Sequence, residues 1–192
     1  MTAPAAYAAG TAVHYIVDAP TTPLEVCVPL SVRPAIAADA LVLARFRYEF
    51  RAAIAPPSED ETTFVARCLA WVSHRLGADR SWRAWVAESR AVVVGTVWLQ
   101  LIEKMPNPSD EPEMHGYITN LFVRDHARGE GLGNALLAAA LEECEIRHVD
   151  AVILWPTPRS RSLYERHGFA VGDDLMERRL PDSSQKQTRV AR

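Results

Sequence analysis

The chain has 192 residues and a mass of 21.3 kDa, with 48% hydrophobic and 23% charged residues. That balance excludes a fibre or a wholly disordered chain and fits one globular domain, whose core at this length needs no disulfide or metal staple. The net charge of -3 and isoelectric point near 6.1 give no general pull toward nucleic acid or an anionic membrane, so any anion must be caught locally.

Cys27, Cys68 and Cys144 form no CxxC pair and have no histidine at zinc-ligand spacing, so neither a disulfide framework nor a metal site is expected. Residues 1–23 are rich in Ala, Thr and Pro and read as a flexible arm, with His14–Val17 its one strand-like stretch. The first lysine or arginine is Arg33, so the charged start of a secretory signal is missing, and no apolar run approaches a membrane span. A cytoplasmic location is the expectation.

A β-branched run from Glu25 to Arg33 predicts a strand, and Pro29 within it an edge position. Pro34 then opens a helix in which Ile36, Ala40, Leu43, Phe46 and Phe50 recur at helical period, with Arg45, Arg47 and Arg51 at mostly solvated positions. After the APPS break, Ser58 is the expected cap of a second helix that ends at Gly77. Three strand-like runs follow, Ser81–Ser89, Ala91–Lys104 and His115–Val123, expected as antiparallel neighbours with a hairpin at ESR and a polar loop from Met105 to Met114. A long helix from Gly131, an apolar strand over Asp150–Trp155, a short helix ending at Gly168 and a last strand over Phe169–Leu180 complete the order, before a disordered tail over residues 182–192.

The stretch Leu121–Leu137 passes from a strand through a glycine-rich loop directly into a helix. Gly129, Gly131 and Gly133 allow close backbone approach, and the free amides and positive dipole end of the helix face an incoming anion. A dinucleotide fingerprint would need glycine where Asn134 stands, and the nucleoside-triphosphate loop pattern is absent.

The segment RGEGLG, Arg128–Gly133, fits [RQ]xxGx[GA], and SLYERHGF, Ser162–Phe169, follows it downstream. At this pair of motifs the sequence resembles the GNAT superfamily of N-acetyltransferases, and the order of elements agrees from about Glu25 to Leu180. The resemblance implies a single α/β (α+β) domain over residues 24–181, a mixed, mostly antiparallel sheet of about six or seven strands flanked by about four helices. It also implies acetyl-CoA as co-substrate, with no metal, a small-molecule or peptide amine as acceptor, neither nucleic acid nor membrane as partner, and a homodimer as the family's common assembly.

Residue by residue, the resemblance gives the pyrophosphate to the backbone of Arg128, Gly129, Glu130, Gly131, Leu132, Gly133 and Asn134, and the pantetheine arm to Leu121, Phe122 and Val123. Tyr164 falls where similar enzymes place the general acid for the departing thiolate, also beside the cofactor. Where many members carry an asparagine, this chain has Thr157 and Pro158, so the cofactor contact there falls to the shorter hydroxyl of Thr157, with Ser160 and Arg161 as compensating contacts. The strand that often supplies a glutamate contains no acid; Glu103, Glu113, His115 and a water held by Tyr117 or Asn120 are the candidates for the base, with Glu113 and Asn120 the catalytic choices.

Glu59, Asp60, Glu61, Asp110, Glu111 and Glu113 are candidates to attract a cationic acceptor, against a solvated-loop reading. Cys144 and the apolar face of the long helix are expected in the core, and the five tryptophans mostly so. The alternatives to an enzyme are an acyl-CoA-sensing module without efficient transfer, favoured by the missing strand acid, and a nucleic-acid binder, favoured only by 19 arginines against two lysines.

Overall fold

The computed structural model describes residues 30–77, 79, 81–172 and 175–178. The expected N-terminal arm, Cys27, Pro29 and the tail over residues 182–192 lie outside them. Among the described residues one sheet contains, in spatial and chain order, β1 (Leu30–Pro34), β2 (Trp82–Ser89), β3 (Val92–Glu103), β4 (Met114–Val123) and β5 (Ala151–Ile153). The first three pairings are antiparallel and β4 runs parallel to β5. Helices α1 (Ala40–Ala52) and α2 (Glu61–Gly77) come before β2, α3 (Leu132–Ile146) crosses from β4 to β5, and α4 (Arg161–Arg166) follows.

The sheet has five strands among the described residues, fewer than the six or seven expected. No strand forms over residues 169–172 or 175–178, where Val171 is 81% and Met176 95% exposed, so no neighbour buries the alternating side chains a strand would need. The strand expected over Asp150–Trp155 pairs only at Ala151–Ile153.

Local chemistry explains the connections. Ser89 pairs with Val92 across Arg90 and Ala91, both with positive φ (52° and 59°), the two-residue turn whose twist matches an antiparallel hairpin. A short 3-10 turn at Ala37–Asp39 precedes α1, so that helix starts later than the periodicity predicts. At α2, Asp60 rather than Ser58 serves as the cap: its carboxylate accepts the Thr63 amide at 3.0 Å and the Thr63 hydroxyl at 2.7 Å.

Helices cover both faces. On one, Val97, Leu99 and Ile118 pack against Leu132, Leu136, Leu137 and Cys144 of α3. A Cβ at Gly116 would lie 3.3 Å from the Cys144 sulfur, so α3 sits close over β4. On the other face Val86 and Trp98 meet Leu43 of α1 and Val72 of α2. Burying each such aliphatic side chain stabilises the fold by about 1.5–3 kcal/mol, and Leu136→Ala, at a fully buried site, should cost about 2–5 kcal/mol.

Candidate active site

Two features of β4 create the site. The parallel ladder to β5 ends at Tyr117↔Ile153, so the edge of β4 from Ile118 to Val123 has no strand beside it among the described residues. The ladder to β3 is interrupted as well: Trp98 faces Thr119 and Thr96 faces Phe122, leaving Asn120 and Leu121 together opposite Val97, which is a β-bulge. Asn120 carries the bulge with φ 53°, a left-handed conformation that asparagine tolerates better than most residues.

The bulge decides which way the following side chains point. Before it, Tyr117 and Thr119 face α1 and α2, and Ile118 faces α3. Asn120 also turns to the α1 side, where its Oδ1 accepts a 3.2 Å hydrogen bond from Arg47. Beyond it, Leu121 and Val123 pack toward α3, while the Phe122 ring meets Phe46 of α1 at 5.4 Å.

Beyond β4, Gly129 (φ 88°) and Gly131 (φ 81°) take backbone conformations that L side chains rarely adopt, and a Cβ on either would meet nothing within 4 Å. Open space beside two such glycines means that no packing contact requires them and leaves their backbone accessible. Gly131 caps α3 without a side-chain bond, so the first-turn amides of Leu132, Gly133 and Asn134 have no acceptor within the helix. The Arg128 side chain holds the loop from beneath, donating to the Val123 carbonyl at 2.8 Å and pairing with Asp125. Glu130 is exposed, so its charge is solvated.

Helix α4 meets the same end of β4. Asn134 Oδ1 and His167 Nε2 lie 2.8 Å apart, joining α3 to α4. Thr157 and Ser160 close the turn that leads into α4: the Thr157 amide donates to Ser160 Oγ at 3.0 Å, and the Ser160 amide to Thr157 Oγ1 at 3.3 Å. Arg161 is exposed, 4.0 Å from Glu165. Tyr164 is buried in the cluster that contains Leu132 and Leu136, its ring 5.7 Å from Phe169. Burial pushes its phenol above the usual 10.0, against a smaller opposing effect of a hydrogen bond with Ser160.

On the opposite face of the sheet, α1 and α2 enclose a cavity of about 430 Å3 that reaches Thr119 and Asn120. Leu43, Phe64, Val72 and three tryptophans, Trp71, Trp82 and Trp98, supply most of its wall. Trp85 instead joins the core under α3, and Trp155 is exposed with its ring 5.2 Å from Tyr117. Cys68 also reaches the cavity, and burial pushes its thiol up, away from the reactive thiolate.

Arg47 corrects an expectation. Read from sequence as solvated, it lies half-buried on the cavity wall, because position 47 follows Leu43 by one turn of α1. Burial disfavours its charge first, and the neighbouring Arg51 adds to that. Sequence reasoning missed it since charge outweighed its place on the helical wheel.

The structure therefore brings Asn120, the edge of β4, the glycine loop and the Tyr164 helix to one end of the sheet. Glu113 is not among them. It is exposed just before β4, seven positions from Asn120, in a separate hollow shared with Glu103, Arg147 and His148. His115 is the second residue of β4, with its Nδ1 buried and without a partner among the described residues. Of the acids considered for attracting an amine, Glu59 is paired with Arg67 at 2.5 Å, Asp60 is a helix cap, and Glu111 accepts from Asn107 at 3.2 Å.

The arrangement has relatives. The model of the acetyltransferase (GNAT) family matches residues 46–169. A GCN5-related N-acetyltransferase from Ralstonia eutropha is 30% identical with a TM-score of 0.62, covering 78% of this chain and 98% of its own. A predicted acetyltransferase from Clostridium acetobutylicum, crystallised with acetyl-CoA, is 24% identical with a TM-score of 0.64, covering 79% and 96%. The ribosomal-protein-alanine N-acetyltransferase of Brucella melitensis shares the fold at 18% identity and a TM-score of 0.57, covering 81% and 100%. No curated protein matches the chain. With its family model spanning well over half the sequence, the chain belongs to the GNAT family of acetyltransferases.

Proposed function

We propose that this chain moves the acetyl group of acetyl-CoA to a primary amine by direct attack within a ternary complex. The observation that carries the reading is the unpaired edge of β4 beyond Tyr117, running into a loop whose two left-handed glycines face open space. An extended pantetheine arm fits such an edge as an added strand, held by the backbone of Leu121, Phe122 and Val123. The loop from Arg128 to Asn134 offers amides and a helix dipole to the pyrophosphate. The side chains of Thr157 and Ser160 bond each other in the turn before α4 and leave the contact with the cofactor to Arg161 and to backbone.

Bound there, acetyl-CoA supplies a thioester carbonyl open to an amine. A backbone amide near Val123 stabilises negative charge on the carbonyl oxygen, and the Tyr164 hydroxyl gives its proton to the leaving sulfur. Burial keeps that phenol protonated across the neutral range, as an acid requires. Cys68, whose thiol is held protonated, supplies no covalent route. Asn120 is an amide and cannot act as the base, so its role is to position the acceptor; the amine loses its proton to water at the hydroxyls of Tyr117 and Thr119. Glu113 stands apart from this route.

One observation favours the second reading, an acyl-CoA sensor: no carboxylate lines the cavity among the described residues. Isothermal titration with acetyl-CoA and with CoA, repeated on Gly131→Glu, tests the cofactor site, and amine-dependent thiol release separates the two readings. Micromolar binding lost in the variant supports the site. Binding without thiol release for any amine supports the sensor, and no binding to either ligand sinks both.

A further inference from the structure

The cavity under α1 and α2 has a polarity that bears on the acceptor. Two guanidinium groups reach its wall, and they are not equivalent. Arg67 is neutralised by Glu59 at 2.5 Å and lies over the Phe64 ring at 5.2 Å. Arg47 has no carboxylate within ion-pair distance among the described residues, and its one side-chain hydrogen bond goes to Asn120 Oδ1. A half-buried cation without a counter-charge is unfavourable in the free protein and favourable once an anion joins it.

Asn120 repeats the pattern with a neutral group. It is 5% exposed, and its Nδ2 has no acceptor among the described residues. A buried amide donor left open, on a non-glycine residue held at positive φ, is the kind of local cost found where a ligand completes the structure. The open amide donor and the guanidinium without a counter-charge, which also lies 5.9 Å from the Phe50 ring centroid, belong to residues on the wall of the same cavity and are joined by the 3.2 Å bond between them.

The remainder of the wall is apolar. Trp71, Trp82 and Trp98 form a cluster with ring centroids 5.1 to 6.0 Å apart, and Trp98 stands opposite Thr119 in the sheet, one residue before Asn120. Among the described residues no aspartate or glutamate lines the cavity, and the nearby Glu59 is already paired with Arg67, so a polyamine or a lysine-rich peptide would bring its positive charges against Arg47.

We infer that the acceptor is a free α-amino acid with an aromatic or large aliphatic side chain, its carboxylate held by Arg47 and Asn120 Nδ2 and its side chain among Trp71, Trp82 and Trp98. The inference rests on the acetyl-transfer reading above and names the acceptor for that site. Its geometry follows from connectivity: in an α-amino acid the amine is two bonds from the carboxyl carbon. A carboxylate anchored at Asn120 therefore leaves the amine at the part of β4 where β5 has diverged, and the side chain extends toward Trp98. A volume of about 430 Å3 is ample for such a ligand. A peptide N-terminus has no α-carboxylate and leaves both donors open.

The test is calorimetric titration of the full chain, with CoA present, using L-phenylalanine, L-leucine, L-phenylalanine amide, phenethylamine and spermidine. L-phenylalanine and L-leucine are expected to bind, and the two aromatic ligands without a carboxylate to bind roughly 30-fold more weakly or not at all. Arg47→Met, which keeps the stem of the side chain, should erase that preference, and Arg47→Lys should restore part of it. An unchanged CoA affinity in both variants shows that they are folded. Equal binding of L-phenylalanine and phenethylamine, a preference for spermidine, or no binding of either amino acid at about 10 mM overturns the inference. Failure of the acetyl-transfer reading looks different: the amino acids bind, but CoA does not, or thiol is not released from acetyl-CoA when they are added.

Discussion

Glu49 of α1 accepts two hydrogen bonds from Arg124, at 2.7 Å and 3.2 Å, and so ties the helix that walls the cavity to the residue that follows β4. The Arg124 guanidinium also lies 4.8 Å from the Phe46 ring centroid, and its amide donates to the Val94 carbonyl at 2.9 Å. Both partners are about one-third exposed, so the pair is screened and contributes little by itself. Glu49→Gln should lower unfolding free energy by about 1 kcal/mol or less, and high salt should shrink the difference. Urea denaturation at two ionic strengths measures this; a salt-independent loss would mean that the stacked Arg124 side chain, not the charge, carries the contact.

Tyr164→Phe removes the phenol and little else from a buried ring. Turnover is expected to fall by about 10²-fold or more, with little change in acetyl-CoA affinity. Because burial raises the folded phenol above its ordinary value, any alkaline decline from this group should come at higher pH than for a free tyrosine. Unchanged turnover in the variant would leave Tyr164 a packing residue against Phe169.

Gly131→Ala should cost about 1 kcal/mol of stability from the left-handed backbone alone, since its Cβ meets no atom. Gly131→Glu adds a negative charge beside the anion cradle, so its acetyl-CoA affinity should fall much further than that of the alanine variant. Calorimetry and thermal melts on both separate the backbone effect from the electrostatic one; equal affinities would remove the cradle from the site.

Gly95→Ala acts on the site from behind. A Cβ there would lie 2.9 Å from the Phe122 carbonyl oxygen and 3.1 Å from a Val123 methyl, so the end of β4 must shift. A destabilisation of about 1–3 kcal/mol is expected, accompanied by weaker acetyl-CoA binding because Phe122 and Val123 form the proposed strand edge. Loss of stability with full affinity would place the cofactor elsewhere.

Acid sensitivity should trace to Asp39. Two hydrogen bonds from Arg33, at 2.8 Å and 3.0 Å, hold its carboxyl below the usual 3.8, with the Ile36 amide adding to this and burial opposing it. A carboxyl whose folded value lies below its unfolded one stabilises fully above about pH 4 and loses that contribution as pH falls through the lower folded value. Asp39→Asn should destabilise the protein at neutral pH and flatten its stability curve below pH 4, as read from urea midpoints; an unaltered acid slope would mean that Asp39 does not carry the effect.

Much of the scaffold was legible because its signals are local. Alternation located β2, β3 and β4, and the glycines of residues 129–133 located the strand-to-helix turn. What could not be read depends on neighbours. Asn120 is a catalytic candidate in the sequence, but its bulge exists only through the offset between Trp98↔Thr119 and Thr96↔Phe122. Arg47 was misjudged since a charged residue at a helical position facing the sheet is buried only if a cavity admits it. The final strand does not form over residues 169–172 or 175–178, because no neighbour buries the side chains there, and β5 itself pairs over only three residues.

The divergence of β4 from β5 also has a consequence for the lifetime of the protein. A sheet that lacks one strand segment beside β4 has backbone hydrogen-bonding groups open to water or to a ligand, so a ligand bound there acts as an added piece of the fold. By mass action it raises stability by about 2.7 kcal/mol at a hundred times its dissociation constant. The folded population, and with it resistance to proteolysis, would then follow the ligand supply, and a starved cell would clear this enzyme faster than a fed one.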